Sequence, residues 1–266
     1  MYSKLQLALK YLQYYFTSSN SKGHGIHSPF VFAFITEVLN DDRTFYAYAD
    51  IETVRNSLLH DQRMLTIEDM GAGSRVIKEK QRCIASIASS SLKPVQFSQL
   101  LFRMVNYYQP QTILELGTSL GITTSYFAAA NPKARVITLE GAMSIAAVAK
   151  ENFAKLAIPN IELVTGNFDE TLPVIVNQLH SPIDFAFIDG NHRYQPTINY
   201  FQQILAKTNA DSIIILDDIH WSKEMEKAWK EVQLNSLVTM TIDLFFIGIV
   251  LFRKEFKVKQ HFSIRH

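Results

Sequence analysis

Thr112-Ile-Leu-Glu-Leu-Gly-Thr-Ser-Leu-Gly-Ile-Thr-Thr-Ser-Tyr126 opens on a short apolar run that meets Glu115, then Gly117 and Gly121, and continues as a helical pattern. A strand feeding a glycine turn and a helix is predicted. Glycines at such a turn let the backbone approach a ligand with no Cβ in the way, and the first helical turn offers unpaired N–H groups. A second strand, Ala134-Arg-Val-Ile-Thr-Leu139, ends on Glu140, followed by Gly141. A carboxylate at that strand end can accept both hydroxyls of a ribose. The pair of strands therefore reads as a nucleoside site.

The glycine spacing narrows the ligand. A dinucleotide site uses Gly-x-Gly-x-x-Gly to admit a pyrophosphate, whereas Glu115-x-Gly117-x-x-x-Gly121 has an acid before the first glycine. An acid there suits a cationic ligand. The pattern resembles the first motif of class I S-adenosylmethionine-dependent methyltransferases, and the resemblance covers roughly residues 95 to 255. It implies that Glu115, Gly117, Thr118, Ser119, Gly121 and Thr123 line the methionine end of the cofactor, with Glu140 and Gly141 at the ribose. After the third strand, Asn167 stands where related enzymes contact the adenine amino group, and Phe168 could stack on the ring. The same Asn167 also reads as a helix N-cap before Asp169 and Glu170.

From about residue 95 strands alternate with helices. Strands are predicted at 112–116, 135–139, 161–165, 183–188, 212–217, 238–244 and 247–253, and helices at about 121–130, 142–157, 168–179, 194–206 and 222–233. This rhythm predicts an α/β fold with a mostly parallel sheet. The last two strands are too close in sequence for a crossover and must form an antiparallel hairpin. The family resemblance implies a doubly wound, seven-stranded Rossmann-like sheet. Residues 1–94 differ in character and are expected to form a helical appendage on the substrate side, with 95–266 as the cofactor-binding domain. In that appendage Ser28-Pro29 predicts a helix start.

Two strand ends carry further acids. Ile183-Asp-Phe-Ala-Phe-Ile188 delivers Asp189, and Ser212-Ile-Ile-Ile-Ile-Leu216 delivers Asp217 and Asp218. Converging like charges need a cation or a proton to coexist, and oxygen ligands suit Mg²⁺, Mn²⁺ or Ca²⁺. Here the resemblance sharpens to the cation-dependent catechol and caffeoyl-coenzyme A type O-methyltransferases, which place one Asp after strand four and an Asp-Asn pair after strand five. It implies metal ligation by Asp189, Asp217 and Asp218, the last departing from Asn. The plainer reading gives Asp189 to cofactor or substrate and lets Asp217 or Asp218 cap a helix. That family's general-base lysine falls on His192, whose ordinary pKa near 6.5 suits proton transfer at neutral pH. Catalytic roles are thus expected for His192 and Asp189, with His220 a weaker candidate.

Other patterns point elsewhere. Ile67-Glu-Asp-Met-Gly-Ala-Gly-Ser-Arg75 imitates the first motif, but no second strand ending in an acid follows; Val76 onward reads as a basic helix. His24 and His27 have metal-like spacing without a third ligand nearby. Phe30, Phe32, Phe34, Phe45, Tyr46 and Tyr48 read as core or oligomer contacts, or as a cover for the substrate; Trp221 and Trp229 read as one wall and one core residue. With 26 basic and 25 acidic residues, a formal charge of +1 gives no reason to expect nucleic acid. A single cysteine, Cys83, excludes an internal disulfide framework, and Leu244 to Phe252 is too short to span a bilayer. The expectation is a cytoplasmic enzyme, off the membrane, acting on a small molecule, with a homo-oligomer left open. It would use S-adenosylmethionine and a divalent cation, Mg²⁺ or else Mn²⁺ or Ca²⁺, to methylate an oxygen. The alternatives are metal-independent transfer to another oxygen or nitrogen, and a noncatalytic cofactor-binding protein.

Overall fold

The computed structural model describes residues 1–23, 28–68 and 79–266. Its strands include an eight-stranded mixed sheet and a two-stranded one. In the large sheet the order is β10-β8-β9-β7-β6-β3-β4-β5. The chain divides into two compact units, one of 42–178 and one built from 1–41 with 179–266.

In the unit of 42–178, β3 (Thr112–Leu116), β4 (Arg135–Glu140) and β5 (Ile161–Thr165) pair in parallel. They are joined through α6 (Ile122–Ala130) and α7 (Met143–Lys155), and α8 (Phe168–Gln178) follows. Every residue of β3 is buried, as a strand covered on both faces requires. Ahead of them lie α3 (Ala47–Leu59), β1 (Met64–Glu68), β2 (Glu79–Cys83), α4 (Ile84–Ser91) and α5 (Val95–Tyr108). Phe45, Tyr48, Phe102 and Tyr126 form a cluster of tilted and edge-on rings there, so Tyr48 is core, whereas Tyr46 is 75% exposed.

Strands β1 and β2 correct the expectation of a purely helical N-terminal region. They pair antiparallel, Met64 with Cys83 through Glu68 with Glu79. Residues 79–83, expected within a basic helix, are therefore strand. The imitation motif begins on β1 and runs on toward β2, and residues 69–78 lie outside the described residues. Antiparallel flanks do not build the strand, helix and parallel strand that a nucleoside site needs.

In the other unit, β6 (Phe185–Ile188) and β7 (Ile213–Asp217) pair in parallel, and β9 (Ile247–Leu251) runs antiparallel to both β7 and β8 (Met240–Asp243). The predicted hairpin is present. Helices α9 (Tyr194–Leu205) and α10 (Lys223–Leu234) fill the expected gaps. An eighth strand, β10 (Gln260–Ser263), adds to the seven expected, parallel to β8. Its Gln-His-Phe-Ser sequence carries no apolar run, because an edge strand with partly exposed side chains needs none. A parallel bridge between Ser19 and Ile264 ties the segment after α1 (Lys4–Thr17) to the end of β10.

Ser28 caps α2 (Pro29–Phe34) with its side chain accepting from the Val31 N–H, and Pro29 takes the first helical position, as predicted. One π-helical turn, Ile35–Leu39, follows. Phe34 is core and Phe32 is half-exposed. On α1 the leucine row faces solvent, with Leu5, Leu9, Leu12 and Phe16 all more than half exposed, while Tyr14 is buried. No described helix is long and apolar enough to cross a membrane.

Trp229 on α10 is buried, and its ring covers Gly248 of β9. A Cβ at 248 would lie 2.6 Å from the indole. Gly248→Ala should therefore lower stability by about 1–3 kcal/mol through overpacking. Thermal unfolding checks this: an unchanged midpoint would show that the indole has room to move.

Candidate functional site

In the unit of 42–178 the predicted donor turn is built around a carboxylate with no exposed surface. Glu115 Oε2 accepts hydrogen bonds from Thr124 on α6 and from Thr138 on β4, the latter at 2.6 Å. Since Thr138 spends its proton on Glu115, Thr118 is the donor in the 2.6 Å contact between the two threonine hydroxyls. The glycine turn is fastened above by Gly117 N–H and Thr118 N–H, both donating to the Leu139 carbonyl at 3.0 and 3.1 Å. Glu115 therefore shapes the turn from beneath; the expectation that it lines the ligand directly differs from its zero exposure.

Gly121 shows why the turn needs glycine. Its φ is +83°, and a Cβ would come within 2.6 Å of the Phe153 ring. Gly117 has φ +101° and Ser119 φ +48°. At 141 an added Cβ meets nothing within 4 Å, so that glycine answers to no packing constraint. Gly121 caps α6 without a side-chain hydrogen bond, and Thr123 lies half-buried in the first turn of this helix. Glu140 ends β4, its two oxygens accepting from Ser119 N–H at 2.8 Å and Ala142 N–H at 3.0 Å. Beyond β5, Asn167 Oδ1 accepts from the Asp169 N–H at 3.0 Å, so the helix-start reading holds. Phe168, beside it, is half-buried.

The other unit brings Asp189, His192 and Asp217 together. Their ligand-type atoms all lie within 4.8 Å of one another. Parallel β6 and β7 align the strand ends, Ile188 beside Leu216, so that Asp189 and the buried Asp217 emerge at one edge. The loop after Asp189 then turns back sharply: Asn191 has φ +66° and His192 φ +25°. His192 Nε2 lies 3.4 Å from Asp189 Oδ1. Asp218, with φ +53°, is not in the group of three, which departs from the expected all-aspartate set.

Burial pushes the His192 pKa down, but the hydrogen bond to Asp189 and the charges of Asp189, Asp217 and Asp218 outweigh it and raise it to about 9. Without a cation in the cluster the imidazole is then protonated at neutral pH. The sequence expectation used the ordinary value near 6.5. Beside the cluster opens a cavity of about 670 Å³, lined among others by Tyr2, Gln6, His192, Trp221 and Glu224. Sequence patterns gave no hint of Tyr2 and Gln6, because nothing local marks a chain start that returns to a distant loop.

His220 has different work. Its Nε2 lies 2.8 Å from Asp243 Oδ2 and its ring stacks on Phe245. Nδ1 is 3.4 Å from Glu226, which also receives Lys10 Nζ at 2.7 Å and the Tyr2 hydroxyl at 2.6 Å. This network binds α1 to α10 and β8. His24 and His27 lie outside the described residues.

Comparison with known proteins fits this layout: residues 114–219 match a family described as a methyltransferase domain. The chain is 34% identical over 139 residues to a catechol O-methyltransferase of Niastella koreensis, covering 51% of this chain and 61% of the relative. It is 29% identical over 126 residues to a catechol O-methyltransferase of Mycobacterium tuberculosis, covering 47% and 55%. The chain thus spans about three fifths or less of the length of these relatives. Among solved structures, an S-adenosylhomocysteine-bound methyltransferase of Podospora anserina aligns over 96% of this chain and 98% of its own, with TM-score 0.60 and 13% identity. An O-methyltransferase of Bacillus cereus in complex with S-adenosylhomocysteine aligns over 80% and 93%, with TM-score 0.57 and 20% identity. These likenesses establish the methyltransferase fold.

The His220 network has a pH signature. Burial lowers the His220 pKa, but Asp243 and Glu226 raise it further, so the folded value lies above the ordinary one. Its stabilising contribution is complete below the unfolded pKa of about 6.5 and fades as pH rises through the folded value. The stability gap between the parent and His220→Gln should accordingly shrink from mildly acidic to alkaline pH, as read by urea unfolding. A gap independent of pH would contradict this.

Proposed function

We propose that the protein transfers the methyl group of S-adenosylmethionine to a hydroxyl oxygen of a small molecule, with a divalent cation assisting. The observation that carries the reading is the matched methyltransferase domain, whose glycine turn ends β3 while Glu140 ends the neighbouring β4. In this reading Glu140, held at the end of β4 by the Ser119 and Ala142 N–H groups, accepts the ribose hydroxyls. Gly117, Thr118, Ser119, Gly121 and Thr123 bound the methionine end, with Glu115 beneath. Gly141 leaves room at the ribose, and Asn167 and Phe168 take the adenine.

Asp189 and Asp217 would hold the cation; two carboxylates and an imidazole nitrogen within 4.8 Å of one another fit such an ion. Asp218 remains a proposed further ligand from the same turn. A bound cation lowers the pKa of a coordinated hydroxyl and fixes its oxygen. The cavity lined by Tyr2, Gln6 and Trp221 would orient the acceptor, and its 670 Å³ is of the size that encloses small ligands. An aromatic diol of the kind named for the catechol O-methyltransferase relatives suits its aromatic lining. Catalysis is then mostly positioning, with charge stabilisation at the oxygen.

The same proposal keeps residues 1–94 as a substrate-side cap on a methyltransferase domain of 95–266, supported by Tyr2 and Gln6 in the cavity wall. It places the enzyme in the cytoplasm, and the exposed leucine row of α1 supports self-association. Metal-independent transfer is the second reading, in which the His192 ring, 3.4 Å from Asp189, balances the carboxylates when it is protonated.

Glu140→Ala should weaken S-adenosylmethionine binding by roughly 2–4 kcal/mol, the worth of two hydrogen bonds to a charged group less some replacement by water. Calorimetry against S-adenosylmethionine and NAD decides. Binding of NAD without the methyl donor would overturn the proposal.

Activity in the presence of a chelator tests the cation separately. Loss of turnover on chelation, restored by added Mn²⁺ or Mg²⁺, is expected; full activity under chelation selects the metal-independent reading.

A further inference from the structure

The cluster in the unit of 1–41 and 179–266 contains a nitrogen donor. We infer that His192 is itself a ligand of the cation, making a two-carboxylate, one-imidazole site that favours Mn²⁺ and later transition ions over Mg²⁺ and Ca²⁺. This rests on the cation-assisted reading above and replaces the role of proton acceptor for His192, since one Nε2 lone pair cannot serve both tasks.

Backbone geometry supports the inference. A histidine three residues beyond Asp189 in an ordinary extended loop would carry its ring away from the strand end. Here two consecutive non-glycine residues, Asn191 and His192, adopt positive φ, a backbone conformation uncommon outside glycine. Asn191 is pinned by its Nδ2 donating to the Tyr200 hydroxyl at 3.2 Å. The reversal returns the His192 ring to Asp189, with Nε2 as the facing atom. Asp217 completes the set from the end of β7, its side chain buried. Three donors from two strand ends and one strained loop leave coordination positions for water and for an acceptor oxygen.

Ligand chemistry gives the selectivity. Mg²⁺ and Ca²⁺ take oxygen and hold nitrogen poorly, whereas imidazole suits Fe, Ni, Cu and Zn, and affinity climbs from Mn²⁺ to Cu²⁺. The other nearby imidazole, His220, is engaged by Asp243 and Glu226 and does not belong to the group.

The test uses the full chain and Mn²⁺. Echo-detected electron paramagnetic resonance of the bound ion should show nitrogen hyperfine coupling, lost in His192→Ala. The parent should prefer Mn²⁺ to Mg²⁺. His192→Ala should weaken Mn²⁺ binding by at least the roughly 10–100-fold that loss of a partner outside the coordination sphere costs, with a smaller effect on Mg²⁺. His192→Asp, which restores a donor but makes it oxygen, should recover binding with the preference moved toward Mg²⁺. Bound Mn²⁺ without nitrogen coupling, at an affinity indifferent to His192→Ala, would overturn the inference and leave a cation held by carboxylates alone. No Mn²⁺ bound to a protein that still binds S-adenosylmethionine by calorimetry would overturn both this inference and the cation in the proposed function.

Discussion

A carboxylate buried without exposure under a glycine turn is the constraint on which the donor half of the structure depends. Burying an acid is costly unless it finds donors, and Glu115 Oε2 finds two in Thr124 and Thr138, one on the helix after the turn and one on the next strand. Those bonds lock β3, α6 and β4 in one arrangement. With Thr118 donating to Thr138, and Gly117 and Thr118 bonded to the Leu139 carbonyl, the turn has little freedom left. Glu140 then presents its carboxylate at a strand end already organised by the Ser119 and Ala142 N–H groups. A ligand arriving there meets a preformed surface, which keeps the ordering cost of binding small.

The second half follows from parallel register and local strain. Aligned β6 and β7 set Asp189 and Asp217 at one edge, and the positive-φ loop adds His192. Two carboxylates at close range repel unless a positive charge intervenes. Without a metal ion, that charge is the His192 imidazolium; in the proposed reaction, it is the cation. One arrangement thus serves stability and chemistry, which accounts for a strained loop at this place.

Much of this was legible in the sequence. β3 and β5 fall where their apolar runs predicted, and the remaining predicted strands and helices differ by a few residues at their ends. Continuous apolar strands between amphipathic helices leave few alternatives. The strands not foreseen were β1, β2 and β10. Glu79-Lys-Gln-Arg-Cys83 and Gln260-His-Phe-Ser263 are polar, and their strand state comes from pairing with a partner, not from a pattern of their own. At the site, residue identities were readable but their grouping was not. His192 was marked by its spacing from Asp189, yet its place beside Asp217 and its raised pKa depend on a backbone reversal that spacing does not encode. Glu115 was read as facing the ligand because a motif lists residues without their burial. His220, read as a neighbour of the crevice, proved to bind α1 to the rest of its unit through Asp243, Glu226 and Lys10.

The most direct test of the central claim is a transfer experiment with methyl-labelled S-adenosylmethionine, Mn²⁺ and a set of small hydroxylated aromatic acceptors, followed by mass spectrometry of both products. The account predicts one labelled methyl ether on an acceptor oxygen and release of an equal amount of S-adenosylhomocysteine. Donor bound in calorimetry, with no label on any acceptor oxygen across the set, would contradict it and leave a cofactor-binding protein without transferase activity.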